Sequence, residues 1–320
     1  MTTKISTDIH LAKELLLQNQ VIGLPTETVY GLAANALQQD AVVKIFEAKN
    51  RPYFNPLIVH VKNIEAISEY AFIDEISLKL ATACMPGSLT LLLPKKNIVP
   101  DIVTAGSTKV AIRIPNHALA LELLNTLDFP LAAPSANVFG YVSPVTAQHV
   151  FDGLLGKIPL ILDGGKCTVG IESTIVEVIE NKVFLHRVGG VTTEEIEQLI
   201  GTALLIKSNS NKPSTAGQLK SHYATNTPLF QGEIDMLMNE HQHKKLAIIS
   251  FHHFYNQYDF VEQVVLSANK DLSEAAQNLF LSFRKLDSKG FDAILVENFP
   301  NEGLGKAIND RVQRAQYVNK

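Results

Sequence analysis

Residues 21–60 have the sequence VIGLPTETVYGLAANALQQDAVVKIFEAKNRPYFNPLIVH, and the prediction of the fold begins from this segment. Its first apolar residues predict a strand at 21–25 that runs into a polar turn, and residues 39–49 predict a helix. The helix delivers Lys49 and Arg51 just before a second apolar run. Pro52 favours extended backbone at Arg51, so both cations can point the same way. A strand that ends in hydroxyls and an acid, beside two cations, suits an anionic ligand.

The size and composition of the chain predict a globular protein of two domains. It has 320 residues, of which 46% are hydrophobic and 19% charged, so it can bury a sizeable core. The net charge of −4 argues against a chain whose whole surface binds nucleic acid, although a local basic cleft stays open. Two cysteines without a CxxC motif indicate neither a disulfide framework nor a zinc site.

Nothing in the sequence predicts a membrane protein. The first 20 residues form an amphipathic pattern with acidic residues and lack the continuous apolar core of a signal peptide. No apolar run reaches the length that a bilayer requires. We therefore expect a cytoplasmic protein with no membrane partner.

Alternating and helical hydrophobic patterns predict the order of the elements. Helices are predicted at 8–19, 39–49, 77–84, 117–127, 146–155 and, after a Thr192–Glu195 capping box, through Ile200. Strands are predicted at 21–25, 56–61, 89–93, 109–114, 130–135, 160–163, 173–178 and 183–187. Because strands and helices do not strictly alternate, we expect an α/β fold with a twisted mixed sheet.

A change of composition after residue 201 predicts the domain organisation. Residues 202–230 are polar and turn-rich, which is typical of a linker. Beyond them, strands at 246–251 and 291–297 and helices at 271–288 and 306–317 predict a small α/β unit. We predict a first domain at 1–201, a linker or lid at 202–240 and a C-terminal, Rossmann-like α/β domain at 241–320.

Several candidate residues have two interpretations on physical grounds. Thr28, with its neighbours in the PTET turn, is either a ligand contact or a capping hydroxyl. Lys49 and Arg51 either bind an anion or form a solvated helix end that favours the helix dipole. In the strand at 109–114, Lys109 and Arg113 lie on the face opposite the apolar residues. Arg113 is therefore either a fork for a ligand carboxylate or an ordinary exposed arginine.

Small and polar residues follow in the segment 132–144, where Ser135 and Asn137 share one side if the backbone is extended. Glycine-rich turns at 163–165 and 170–174 can surround phosphates, but hairpins use the same residues. The sequence lacks GxSxG, HExxH, GxGxxG and P-loop motifs. An enzyme with this sequence would act through cations, hydroxyls and backbone donors around an anion.

These motifs, in this order, resemble the YrdC-like family. The similar segments are LPTETVYGLAANA, KNRPYFNPLIVHV, PGSLTLLL, VAIRIP, APSANVFGYVSP, DGG, GIESTIVEV and HRVGG. A polar linker ending in GQLKSHYA, followed by a small α/β domain, is similar to the long, two-domain L-threonylcarbamoyladenylate synthases of that family. The resemblance covers the whole chain and implies a YrdC-like first domain.

The resemblance implies a nucleotidyltransferase reaction. Members of the family use ATP with Mg²⁺, L-threonine and bicarbonate to make threonylcarbamoyl-AMP and pyrophosphate. Other proteins then place the threonylcarbamoyl group on the adenosine beside the anticodon of tRNA, so partner proteins and a tRNA contact are expected. The carbamate made from the substrate is the attacking group, which agrees with the absence of a nucleophile motif.

The resemblance also implies roles for individual residues. A catalytic role is implied for Lys49, Arg51, Ser135 and Asn137. Contacts with L-threonine are implied for Thr28, His60, Arg113, Ala133 and Ser173. Contacts with ATP are implied for Arg51, Asn55, Lys109, Ser135, Ser143, Arg187 and Tyr223, and no residue is implied to bind a metal. Tyr223, at the end of the linker, is expected to close over the nucleotide as part of a lid.

Two alternatives remain. A carbamoyl-transferring relative would carry Cys-rich zinc segments and extra domains, and this chain has none of those segments. A module that binds double-stranded RNA or tRNA would not need Thr28, His60, Arg113 and Ser173, and its affinity would fall steeply with salt. The enzyme is therefore the preferred hypothesis.

Overall fold

The computed structural model describes residues 2–206 and 223–316, which form two compact units. The first unit contains residues 2–139, 144–168 and 172–206. The second contains residues 140–143, 169–171 and 223–316. Each has its own sheet. Among these described residues, no helix is long and apolar enough to cross a bilayer.

The first unit is built on one mixed sheet of eleven strands. The strands are β1 (Lys4–Ser6), β2 (Ile22–Leu24), β3 (Gly31–Asn35), β4 (Ile58–His60), β5 (Leu89–Pro94), β6 (Lys109–Arg113), β7 (Leu131–Ala132), β8 (Leu160–Leu162), β9 (Thr174–Ile179), β10 (Lys182–Arg187) and β11 (Leu205–Ile206). Their order in the sheet is β1-β8-β2-β3-β7-β4-β6-β5-β9-β10-β11. Parallel and antiparallel pairs both occur, which confirms the predicted mixed sheet.

Eight helices accompany this sheet within the described residues. They are α1 (Ile9–Leu17), α2 (Gln39–Lys49), α3 (Ile67–Tyr70), α4 (Glu75–Cys84), α5 (Asp101–Thr104), α6 (Ala118–Asn125), α7 (Ala147–Leu154) and α8 (Thr193–Ile200). The capping box predicted for α8 is present, since Thr192 and Glu195 bond reciprocally to each other's backbone N–H. Helix α2 ends where Asn50 adopts a left-handed conformation, and this turn directs Arg51 away from the helix axis.

Strand β3 was not predicted, and the reason is its composition. Its residues GLAAN include types with low strand propensity. The segment was therefore interpreted as a run of small residues between a turn and a helix. All five residues are buried, between β2 on one side and β7 on the other. Strand β7 is shorter than the predicted 130–135 because Pro134, which lacks an N–H, follows it closely.

The second unit has a parallel sheet of four strands. These are β12 (Leu229–Gln231), β13 (Leu246–Ser250), β14 (Glu262–Val265) and β15 (Ala293–Val296), in the order β12-β15-β13-β14. Its helices are α9 (Ile234–Glu240), α10 (Leu272–Asp287) and α11 (Gly303–Gln316). The core includes Leu246, Ile248, Ala293 and Leu295 from two neighbouring strands. The α/β character of this unit is confirmed, whereas its Rossmann-like character stays a prediction.

The segment predicted as a linker is only partly described. Residues 207–222, which include most of the predicted GQLKSHYA motif, lie outside the described residues. Within the rest of the predicted range 202–240, the chain forms β11, β12 and α9. The three domain boundaries and the lid stay predictions.

Candidate active site

Neighbouring strands of the first unit bring the predicted residues together. The order β3-β7-β4-β6-β5-β9-β10 places these strands side by side. His60 at the end of β4 is in register with Arg113 at the end of the parallel strand β6. Ser135, which follows β7, forms a bridge with Gly31 at the start of β3. Residues that are far apart in sequence therefore meet along one part of the sheet.

Arg113 is a buried residue of this site. Its Nη1 donates to Thr28 Oγ1 at 2.8 Å, and its Nε donates to the carbonyl oxygen of Gly87 at 3.0 Å. Thr26 Oγ1 accepts hydrogen bonds from the backbone N–H of Thr28 at 3.2 Å and forms the PTET turn. The side chain of Arg113 is 3% exposed, so the alternative of an ordinary surface arginine is wrong.

Glu27 is a functional candidate that the sequence prediction did not include. Its Oε1 lies 2.5 Å from Arg113 Nη2, and its Oε2 accepts a hydrogen bond from the backbone N–H of Asn116 at 3.0 Å. Ser88 Oγ donates to Oε1 at 3.3 Å. Glu27 is only 4% exposed, so it is a buried counter-charge for Arg113. The sequence did contain a signal for Glu27. A buried arginine requires a charged or hydrogen-bonding partner, and the PTET turn contains an acidic residue.

His60 is a neutral histidine beside this ion pair. It is buried, and burial together with the nearby charge of Arg113 lowers its pKa to about 3. Its Nδ1 has no hydrogen-bond partner among the described residues. Buried polar atoms of this kind need a partner, so the nitrogen is available to a ligand.

Lys49 and Arg51 occupy a second part of the site. Lys49 Nζ donates to the carbonyl oxygens of Ser135 and Asn137, and Arg51 Nη2 donates to the carbonyl oxygen of Pro56 at 3.0 Å. Both cations are buried, so the alternative of a solvated helix end is wrong. Burial and the charge of Arg51 hold the pKa of Lys49 well below its usual range.

Asn55 lies next to these cations. Its carbonyl oxygen accepts a hydrogen bond from Arg51 Nε at 3.3 Å, which closes the turn between them. The residue is fully buried, and neither polar atom of its side-chain amide has a partner in the part of the chain that the structure describes. An unsatisfied buried amide is costly, so Asn55 is a candidate ligand contact.

Backbone contacts fix the segment that carries Ala133, Ser135 and Asn137. The N–H of Ala133 donates to the carbonyl oxygen of Ile58 at 2.9 Å. The N–H of Ala136 donates to the carbonyl oxygen of Tyr30 at 2.7 Å. With Lys49 bonded to two of its carbonyl groups, the segment is held from both sides. Small side chains leave its backbone open to close approach.

Ser173 and Arg187 form a third contact group. Arg187 Nε donates to the carbonyl oxygen of Ser173 at 2.9 Å, and Nη2 donates to its hydroxyl at 3.1 Å. Thr90 Oγ1 lies 2.7 Å from the same hydroxyl. All three residues are buried. The structure thus brings Ser173, implied to contact threonine, against Arg187, implied to contact ATP.

Lys109 lies at the opposite end of β6 from Arg113. It begins β6 whereas Arg113 ends it, so the two residues are ~13 Å apart along the strand. Its Nζ forms an ion pair with Glu177, and Glu177 Oε2 lies 2.8 Å from His186 Nε2. The side chain of Lys109 is 34% exposed and that of Glu177 is buried. The structure places Lys109 in this ion-pair network.

Tyr30 anchors the glycine turn at 163–165. Its hydroxyl donates to the carbonyl oxygen of Gly165 at 2.7 Å and accepts from the N–H of Gly164 at 3.1 Å. A Cβ at Gly164 would lie 2.4 Å from the ring of His117, so only glycine fits there. Burial raises the pKa of Tyr30, which keeps this hydroxyl protonated.

Ser143 and Tyr223 belong to the second unit. Both are buried, and the carbonyl oxygen of Ser143 lies 3.4 Å from Arg284 Nε. Tyr223 has a φ of 67°, and its ring centroid lies 5.4 Å from that of Phe280. The guanidinium of Arg311 stands 5.3 Å above the ring of Tyr223. The positive φ is a strained backbone state for tyrosine, so packing of the ring is needed to hold it.

Comparison with protein families matches both parts of the chain. The model Sua5_yciO_yrdC, described as "Telomere recombination", matches residues 14–189. The model described as "Threonylcarbamoyl-AMP synthase, C-terminal domain" matches residues 191–316.

Individual relatives match over almost the whole chain. The threonylcarbamoyl-AMP synthase of Pyrococcus abyssi is 38% identical, over 96% of this chain and 93% of the relative. The threonylcarbamoyl-AMP synthase of Bacillus subtilis is 39% identical, over 98% of this chain and 95% of the relative. The crystal structure of P. abyssi Sua5 complexed with L-threonine superposes with a TM-score of 0.90 at 36% identity, covering 98% of this chain and 97% of that one.

Proposed function

The chain belongs to the Sua5_yciO_yrdC family, and from this membership we propose that it is an L-threonylcarbamoyladenylate synthase. It makes threonylcarbamoyl-AMP and pyrophosphate from L-threonine, bicarbonate and ATP. The observation that supports this proposal best is the buried group of Arg113, Glu27, Thr28 and His60. It offers a carboxylate anchor and a neutral acceptor in a chain similar to a protein whose structure holds L-threonine.

Arg113 and its neighbours would bind the amino acid. The guanidinium of Arg113 is held by Glu27, Thr28 and Gly87 and therefore has a fixed orientation. It can donate hydrogen bonds to a substrate carboxylate with little loss of side-chain conformational entropy. Neutral His60 presents an unpaired Nδ1 beside it. This nitrogen would accept a hydrogen bond from the amine or hydroxyl of the substrate.

The buried cations would bind the nucleotide. Lys49, Arg51 and Arg187 each donate to a backbone carbonyl group, and their positive charges would attract phosphate oxygens. In a buried site such charges act strongly on the charge that develops in the transition state. Asn55 and Ser135 would add neutral donors.

The reaction needs no nucleophile from the protein. The amine of threonine and bicarbonate form a carbamate with loss of water, and a carbamate oxygen then attacks the α-phosphorus of ATP. A bond from that oxygen to phosphorus forms, the bond to the bridging oxygen breaks, and pyrophosphate leaves. The residues of the site would position the reactants and stabilise the charge of the transition state. These two effects would supply most of the rate acceleration.

Mg²⁺ would enter with ATP as part of the substrate. Among the described residues no group of three or more His, Cys, Asp or Glu could hold a metal. An ion bound by phosphate oxygens and water needs few protein ligands, so the residues present fit this mode of binding. A cytoplasmic location, transfer of the adenylate to partner proteins and a tRNA contact belong to the same proposal.

Pyrophosphate release tests the proposal. We expect release only when ATP, Mg²⁺, L-threonine and bicarbonate are all present, with threonylcarbamoyl-AMP detected by mass spectrometry as the second product. L-Valine, which lacks the hydroxyl, serves as the control substrate. Equal release without threonine would contradict the proposal.

A further inference from the structure

Two buried nitrogen atoms of the first unit indicate where a ligand binds. Arg113 Nη2 lies 2.5 Å from Glu27 Oε1, but the two groups are not aligned as a hydrogen bond. Nη2 therefore has no hydrogen-bond partner among residues 2–206 and 223–316. The same is true of Nδ1 of His60, which is in register with Arg113 on the neighbouring strand. Buried polar atoms need partners, and a ligand would supply one to each.

The orientation of Arg113 depends on the PTET turn. Thr28 Oγ1 accepts a hydrogen bond from Arg113 Nη1 at 2.8 Å, and Glu27 is the carboxylate partner. The second oxygen of Glu27, Oε2, accepts from the backbone N–H of Asn116 at 3.0 Å. The positions of this turn and of Asn116 therefore set the direction of the guanidinium.

The glycine turn at 163–165 holds one end of the segment 25–30, which contains the PTET turn. The hydroxyl of Tyr30 donates to the carbonyl oxygen of Gly165 at 2.7 Å and accepts from the N–H of Gly164 at 3.1 Å. Tyr30 is fully buried, so these two contacts are shielded from water. They fix the C-terminal end of the segment.

The same glycine turn packs against the start of the segment. Gly164 lies between Pro25 and His117, because an added Cβ would come 2.6 Å from Pro25 Cβ and 2.4 Å from His117 Cε1. His117 Nε2 lies 3.2 Å from the carbonyl oxygen of Gly164. A carbonyl oxygen only accepts, so Nε2 carries the proton in this contact. We call Pro25, Tyr30 and His117, with the turn at 163–165, the Gly164 clamp.

The Gly164 clamp reaches Glu27 by two routes. It holds both ends of the segment 25–30, which carries Glu27. It also holds His117, whose neighbour Asn116 donates to Glu27 Oε2. The carboxylate is thus fixed from two sides at its distance from Arg113. Groups that bind a substrate need this kind of support from the residues around them.

We infer that His117 and Tyr30 are positioning residues for L-threonine. They act through the turn at 163–165 and Glu27 on the guanidinium of Arg113, without contacting the substrate themselves. The inference rests on the proposed function, since threonine binding at Arg113 belongs to it. It gives the glycine turn a role other than the phosphate contact that its sequence allowed.

His117→Phe tests the contact with Gly164, because it keeps a ring and removes Nε2. Loss of one hydrogen bond that acts indirectly should raise the Kd for L-threonine ~3- to 10-fold. The Kd for ATP should stay within ~2-fold, since an interaction that serves one substrate leaves binding of the other unchanged. His117→Gln should restore threonine affinity to within ~2-fold, because its amide can donate to the same carbonyl oxygen.

Tyr30→Phe tests the other end of the Gly164 clamp. It removes the hydroxyl that joins the glycine turn to the segment 25–30, and it should also raise the Kd for L-threonine ~3- to 10-fold. Tyr70→Phe is the matched control, since Tyr70 is buried in the same unit and its hydroxyl interacts with Glu69 instead. Both variants should lose thermal stability, but Tyr70→Phe should keep wild-type affinity for threonine.

A double variant shows whether the effect passes through Glu27. Glu27→Gln should itself weaken threonine binding, because the charge that orients Arg113 is lost. In that background His117→Phe should raise the Kd by less than ~2-fold, since residues that act through one contact are not additive. A full, independent loss in the double variant would overturn the inference.

The outcomes separate the inference from the proposed function. Pyrophosphate release by the wild-type chain decides the proposed function, whereas calorimetry of threonine binding needs no turnover and decides the inference. If His117→Phe and Tyr30→Phe lose thermal stability but bind threonine as tightly as the wild type, the Gly164 clamp only holds the unit together, and the inference is wrong. If His117→Phe does not fold, Tyr30→Phe and its control decide the inference.

Discussion

Two groups of buried cations in the first unit are stabilised in different ways. Arg113 has a carboxylate partner, because Glu27 Oε1 lies 2.5 Å from its guanidinium. Lys49 donates instead to the carbonyl oxygens of Ser135 and Asn137. Arg51 likewise donates to the carbonyl oxygens of Asn55 and Pro56. The opposite charges of Arg113 and Glu27 compensate each other, whereas the carbonyl groups that bind Lys49 carry no net charge.

The difference matches the charges of the two proposed substrates. L-Threonine is a zwitterion, and a guanidinium already paired with an acid can orient its carboxylate without creating a large excess of charge. ATP carries several negative charges, which buried cations such as Lys49 can balance. The cost of charge without an anion is visible at Lys49, whose pKa is lowered by burial and by Arg51. Binding of phosphate should relieve that cost.

The largest expected effect is on the free energy of unfolding, when Arg113 loses its carboxylate partner. Glu27→Ala removes the carboxylate and leaves Arg113 buried without it, so we expect a loss of about 3–5 kcal/mol in the free energy of unfolding. Lys49→Met leaves only neutral carbonyl groups behind and should cost less. Urea unfolding followed by circular dichroism measures both. If Glu27→Ala and Lys49→Met lost the same free energy of unfolding, the proposed difference between the two groups of cations would be wrong.

The next effect concerns threonine. Arg113→Ala should weaken L-threonine binding ten- to hundredfold, since a charge-assisted bidentate contact contributes about 1.5–3 kcal/mol. ATP affinity should change little, and Arg113→Lys should restore little because lysine lacks the planar fork. Calorimetry with each substrate separately provides the measurement. Unchanged threonine affinity would exclude Arg113 from the site.

Replacing Arg51, Lys49 or Arg187 should affect the use of ATP instead. Arg51→Ala should raise the KM for ATP about tenfold, the equivalent of about 1.4 kcal/mol, with little change in the KM for threonine. Lys49→Ala and Arg187→Ala should act in the same direction. Steady-state kinetics at subsaturating ATP is the assay. Normal turnover in all three variants would show that these residues do not bind the nucleotide.

His60, which lies beside the Arg113–Glu27 ion pair, should make the free energy of unfolding depend on pH. Its pKa is about 3 in the folded protein and 6.5 when unperturbed, so the unfolded chain binds more protons between these values. Stability should therefore fall as the pH decreases from 6.5, by up to about 1.4 kcal/mol per pH unit. His60→Gln should flatten this dependence, and the exposed His10→Gln is the control. An unaltered slope in His60→Gln contradicts the assignment.

The smallest expected effect is at Lys109. Its side chain is one-third exposed, and its partner Glu177 also contacts His186, so Lys109→Met should cost less than about 1 kcal/mol. We also expect the KM for ATP to stay within about twofold, because the charge of Lys109 is paired with Glu177. Thermal unfolding and ATP kinetics test both points. A large rise in this KM would support the ATP contact that the family resemblance implied.

Local sequence was enough to predict one residue of the site and the start of one helix. Strand alternation identified Arg113 as a residue directed away from its apolar neighbours, and the Thr192–Glu195 box marked the start of α8. Local signals failed where partners come from distant strands. Glu27 meets Arg113 from 86 residues away, and β3 is a strand because two neighbours bury its small residues. The implied roles of individual site residues stay predictions.

Periodicity, caps and motif order are local properties, so the mixed α/β class, most helices and strands, and the kind of chemistry could be predicted from the amino-acid sequence. Which charges are paired could be read from the three-dimensional structure alone. Whether a cation meets a carboxylate, as Arg113 does, or a carbonyl group, as Lys49 does, depends on side chains brought together across the sheet. Electrostatic energies in a buried site depend on the distances between charged groups and on the exclusion of water. Neither can be derived from the local sequence.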